Sequence, residues 1–138
     1  MTHDPDGPVH PAEVQLAPTF DHASCLGFNL RDEERLDRMR PGSNRTVESF
    51  ADRAASKLYL VDVESAKPLS PLGAFVEATK DRPAARHAWI ERARRITDEQ
   101  LRGIIAAVPR ERMSIPARDF ALAHLRVNRA RIGALEPQ

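Results

Sequence analysis

Apolar residues recur every three or four positions along most of the chain, which is the spacing of one buried face of an α-helix. Asp32–Met39 predicts a short, highly charged helix. Thr46 is placed to cap a helix carrying Val47, Phe50, Ala51, Ala54, Ala55 and Leu58 on one side, so that Leu58-Tyr59-Leu60-Val61 finishes it. Ser70-Pro71 pairs a capping hydroxyl with a proline at the first helical position and leads into Leu72, Phe75 and Val76. Arg82-Pro83 opens a further helix with Ala85, Trp89, Ala93 and Ile96 assigned to the core, and Arg86 and His87 to the solvated side. Thr97-Asp98-Glu99-Gln100 matches a capping box ahead of Leu101, Ile104, Ile105 and Val108, with Pro109 as the stop. Ser114 caps the last and longest helix, in which Ala117, Ala121, Leu125 and Ile132 align beside Phe120 and Leu122.

The front of the chain reads differently. Residues 1–18 hold four of the 11 prolines and the turn sequence Asp4-Pro5-Asp6-Gly7-Pro8. Val14 and Leu16 then alternate with Glu13 and Gln15, the pattern of a short strand. One strand leaves its backbone groups unpaired, so a partner is expected outside this chain. The expected class is mainly α, a helical subdomain over 19–138 preceded by a Pro-rich turn and one short strand or hairpin over 1–18.

Composition narrows the function classes. With 41% hydrophobic and 30% charged residues, 138 residues suffice for one globular core. A mean hydropathy of −0.48, with no long apolar run and no leader-like start, argues against a membrane span or a secretory signal. The single cysteine, Cys25, excludes an internal disulfide and fits a reducing, cytoplasmic setting; we read it as a small apolar loop residue. The five histidines lack paired spacing, so no zinc site is expected.

Charge is divided along the chain. Residues 1–81 carry 9 basic against 14 acidic residues, and residues 82–138 carry 12 against 6. Such a division points to docking between parts or partners. Arg118, Arg126, Arg129 and Arg131 on the last helix, with Arg92, Arg94 and Arg95 before it, offer either a nucleic-acid contact or a face paired with acidic residues. Aromatic residues make up only 5% of the chain and are not interleaved with these arginines, which favours the paired face.

The segment Leu16-Ala17-Pro18-Thr19-Phe20-Asp21-His22-Ala23-Ser24-Cys25-Leu26-Gly27 sets a carboxylate at the exit of the predicted strand. On residue type and spacing alone, Asp21 reads first as a turn cap and only second as a cation ligand. The segment, continued through Phe28–Leu36, resembles the HipA-like serine/threonine kinases, in which a Leu-Ala-Pro-x-Phe/Tyr-Asp-x-x-Ser stretch plays the part of the metal-binding DFG segment. The resemblance extends through Thr46–Leu60, Lys67-Pro68-Leu69-Ser70, the capped helix at Thr97, Pro109–Ser114 and Ala117–Leu122. It implies that Asp21 aligns with the aspartate that holds Mg²⁺ between ATP phosphates, and that the site belongs to a phosphoryl-transfer enzyme. Some members of that family act as toxins held by an antitoxin partner.

The departure from the family is equally informative. No Asp-Arg-His-x-x-Asn catalytic loop precedes Asp21, and the six glycines form no phosphate-binding loop. No catalytic residue is therefore assigned. The chain resembles the carboxyl-terminal part of such a kinase, expected to be inactive alone, with a missing N-terminal kinase portion or another protein as partner. A truncated product, a mis-started frame and one half of a split protein are the three origins that fit. The contrasting expectation is a catalytically silent helical interaction module.

Overall fold

A computed structural model describes residues 25–61 and 67–136. Among these residues the chain is mainly helical and contains no strand. The predicted strand at Val14–Leu16, the turn before it and Asp21 lie outside the described residues.

Six α-helices follow in order: α1 (Asp32–Met39), α2 (Val47–Asp52), α3 (Pro71–Ala78), α4 (Pro83–Arg95), α5 (Asp98–Ala106) and α6 (Ile115–Gly133), with one 3₁₀ turn, Arg110–Arg112, between the last two. The starts are fixed by the capping chemistry read from the sequence. Thr46, Ser70, Thr97 and Ser114 each accept a hydrogen bond from the backbone N–H three positions on. At Thr97 the box is reciprocal: Gln100 N donates to the threonine hydroxyl at 3.1 Å, and Thr97 N donates to Gln100 Oε1 at 2.8 Å. At α1 the same task falls to Glu34, whose Oε2 accepts from Arg31 N at 2.9 Å.

The α6 helix is the hub. Its 19 residues span about 28 Å at 1.5 Å per residue. Helices α1, α2, α4 and α5 all pack on it. The core is therefore a sleeve around α6, made of Val47, Ala51, Ile90, Ala93, Leu101 and Ile105 against Phe120 and Ala121. Ile90 and Phe120 are sealed completely. By contrast, α3 contributes no buried residue.

Two helices depart from the pattern expected of them. The α2 helix stops at Asp52 instead of running to Leu58. Beyond it, Ser56 N donates to Leu69 O and Leu69 N donates to Leu58 O, both at 2.8 Å, and Ser56 Oγ accepts from Leu58 N at 3.0 Å. This pairing with Leu69, together with the Ser56 hydroxyl, replaces helical bonds. Leu58, Tyr59, Leu60 and Val61 are each left more than half exposed. The α4 helix is rotated from its expected setting: Arg86, Ile90 and Ala93 face α6, and Trp89 is 45% exposed. Arg86 is accommodated because its Nε donates to Glu136 O at 3.2 Å.

Arginines do much of the fastening between helices. Arg118 on α6 donates to Ile105 O (2.8 Å), Val108 O (2.6 Å), Pro109 O (2.9 Å) and Met113 O (3.1 Å), closing the carbonyl end of α5 and the turn after it. Arg118→Met is expected to cost about 2–3 kcal/mol, because several carbonyls lose a charged donor together. Arg118→Lys should recover little of this, since an ammonium cannot span the same fork. Denaturant midpoints and amide exchange at the end of α5 check both.

Arg94 donates to Gly133 O at 2.9 Å, Arg129 to Ile96 O at 2.9 Å and Arg131 to Asp52 at 2.7 Å. Arg126 and Arg102 converge on Asp98 and hold its carboxyl far below the usual carboxylate range, Arg126 contributing most. The four α6 arginines singled out in the sequence are thus engaged within the bundle. Their partners are mostly helix-end carbonyls and Asp98; among the described residues only Arg131 reaches the acidic first half.

Candidate functional site

A loop over residues 25–31 leads into α1 and carries Cys25, Leu26 and Gly27, the last three residues of the Asp21 segment. Phe28 N donates to Cys25 O at 3.3 Å and Leu30 N to Gly27 O at 3.0 Å, forming two overlapping turns. These turns require left-handed backbone at both Leu26 (φ 57°) and Gly27 (φ 72°). For a leucine this conformation costs on the order of 1–2 kcal/mol, so the surroundings must impose it.

They do so from three sides. Gly27 is buried flat against Phe120, so close that a Cβ there would stand 2.6 Å from the ring. Arg35 on α1 donates through Nη2 to Gly27 O (3.1 Å) and Phe28 O (3.4 Å), and through Nη1 to Asp32. Asp32 in turn accepts from Ser114 Oγ at 2.8 Å, which joins the start of α1 to the start of α6. The Ser114 hydroxyl, and after it Arg35, pull the Asp32 carboxyl below its usual value.

Behind Phe120 lies an aromatic cluster. Phe50 meets Phe120 edge to face at 5.3 Å and His124 at 5.4 Å, and Phe120 and His124 lie 6.0 Å apart. The guanidinium of Arg38 sits 5.1 Å from the Phe50 centroid. Contacts thus run without a break from the strained loop through Phe120 to a histidine and a buried cation.

His124 is buried, and its Nδ1 has no hydrogen-bond partner among the described residues. Burial pushes its pKa below the usual 6.5, and Arg131 depresses it further. A base whose folded pKa is lowered contributes its full stability above the unfolded pKa and loses it as pH falls below that value. Stability is therefore expected to decline as pH drops from 6.5 toward the folded pKa of His124. The shifted carboxylates Asp32, Glu34, Asp37, Glu48, Glu91 and Asp98 all titrate below their ordinary values and remain ionised at the top of this window. Urea midpoints measured across the window should slope in the native chain and flatten in His124→Gln.

No protein-family model, curated protein or solved structure matches this chain. Its chemistry is read from its own residues.

The metal candidate Asp21 lies outside the described residues, four positions upstream of Cys25. Among the described residues no group of three His, Cys, Asp or Glu side chains could hold a metal ion. Cys25 is exposed at the mouth of the loop. Trp89, expected in the core, lies on the surface with Arg92 at 5.3 Å from its ring, beside His87, Glu91 and Arg95. No described helix is long and apolar enough to cross a membrane.

The sequence reading missed two residues of the cluster. His124 was detectable, since it follows Phe120 by four positions and so shares its helix face. Arg38 gives no such signal, because nothing in a charged eight-residue helix marks one arginine for burial.

Proposed function

We propose that this chain is the carboxyl-terminal helical part of a HipA-like serine/threonine kinase. In this reading Asp21 holds Mg²⁺ against the phosphates of ATP once a portion bearing the catalytic loop and nucleotide cradle is joined to it. The observation that supports the reading is the anchorage of the loop in which the Asp21 segment ends. A phosphoryl-transfer site must neutralise charge on the transferring group, and a carboxylate serves that purpose best when its backbone is held in one place. The left-handed pair at Leu26 and Gly27, pressed on Phe120 and tied by Arg35, supplies such a holding point. The bound Mg²⁺ would contribute charge neutralisation between phosphates; the contribution of this chain is to fix the carboxylate that receives it.

Co-expression with the polypeptide encoded immediately upstream, followed by assay of ATP hydrolysis and autophosphorylation, tests this. Activity in the complex that disappears in Asp21→Asn while the complex persists is the expected result. A stable complex with no turnover of ATP would select a second reading, a catalytically silent interaction module. One observation favours that alternative: Leu58, Tyr59, Leu60 and Val61 are exposed together, a run of large apolar side chains that surfaces rarely carry without a partner.

A further inference from the structure

We propose that Arg38, flanked by Arg45 and Arg53, is a binding site for a dianionic phosphate group. Arg38 stands on the last turn of α1, is only 9% exposed and lies over the face of Phe50. Its Nε and Nη1 are sealed from solvent and have no acceptor among the described residues. A guanidinium this deep is ordinarily paired, because a buried charge without a counter-charge is costly.

The neighbouring acids are already engaged. Glu34 accepts from Arg31 N at 2.9 Å and lies 3.6 Å from Arg31 Nε. Asp37 accepts from Arg40 at 3.0 Å and faces Arg45 at 3.6 Å. On α2, Asp52 is paired with Arg131. Arg53 donates its Nε to the Ser49 carbonyl and meets no acid among the described residues, so it adds like charge beside Arg38, as Arg45 does. The outcome is a corner where cations outnumber free anions. One dianion would compensate two guanidinium groups at once, which a single carboxylate could not.

Titration of the full chain with inorganic phosphate at low ionic strength, followed by NMR, tests this, with sodium chloride at matched ionic strength as control. Saturable shifts in α1 and α2 are expected with phosphate and not with chloride. Arg38→Met, which keeps most of the aliphatic stem and removes the guanidinium over Phe50, should weaken binding about tenfold or more. In phosphate-free buffer it should leave the fold at least as stable, since an unpaired buried charge is removed. A parallel titration with phosphoserine assigns the source: tighter binding than phosphate points to a monoester, weaker binding to the free ion. The proposal is overturned if phosphate acts no differently from chloride, or if folded Arg38→Met binds like the native chain. Should Arg38→Met fail to fold, the Arg45→Gln/Arg53→Gln double variant, altered only at exposed positions, decides: undiminished phosphate binding overturns the site, and a several-fold loss supports it.

Discussion

Phe120→Ala is expected to destabilise the protein by about 3–5 kcal/mol, a large fraction of the stability of a small domain. The ring is wholly buried and touches Gly27, Phe50 and His124 together. Its removal opens a cavity at the hub and deprives the strained loop of its backing. Relaxation is limited, because the neighbours are an aromatic ring, an imidazole and backbone. Equilibrium denaturation followed by far-UV circular dichroism checks the magnitude. Phe120→Leu should lose markedly less, since most of the volume is retained.

Gly27→Ala is the second large effect, expected at about 2–5 kcal/mol. Two costs combine: a left-handed backbone for a residue with a Cβ, about 1–2 kcal/mol, and overpacking against Phe120, about 1–3 kcal/mol. The two contributions are separable. In a Phe120→Leu background the overpacking should shrink while the backbone cost remains, so a double-mutant cycle should show coupling of opposite sign to the single losses. Gly42→Ala is the natural control, having a φ of 78° with open space around its Cβ position, and should show the backbone cost alone.

Much of the secondary structure was legible because it is written in local chemistry. Thr46, Ser70, Thr97 and Ser114 fix helix starts through bonds spanning three residues; Pro71 and Pro116 reinforce two of them, and Pro83 opens α4. What was not legible depends on distant partners. The α4 helix carries Ala84, Ala85, Ala88, Trp89, Ile90 and Ala93, apolar almost all round, so its sequence does not select a face. The choice is made by the groove of α6 and by the Glu136 carbonyl that receives Arg86, fifty positions away. The end of α2 was misread for a related reason: Leu69, across a loop, competes for the backbone of Ser56 and Leu58. Of the candidate site, the loop residues were visible as a motif. Their restraint by Arg35 and Phe120 was not, because it arises only when α1 and α6 meet.

The hub arrangement bears on how the protein is made. All four of the substantial helix pairings among the described residues involve α6, which is synthesised after the other five helices. A nascent chain that has released α1 to α5 from the ribosome holds five short helices with nothing to wrap, each too brief to persist in water by itself. Folding must therefore wait for translation to pass Gly133, and until then Phe50, Ile90, Leu101 and Ile105 stay open to chaperones and proteases.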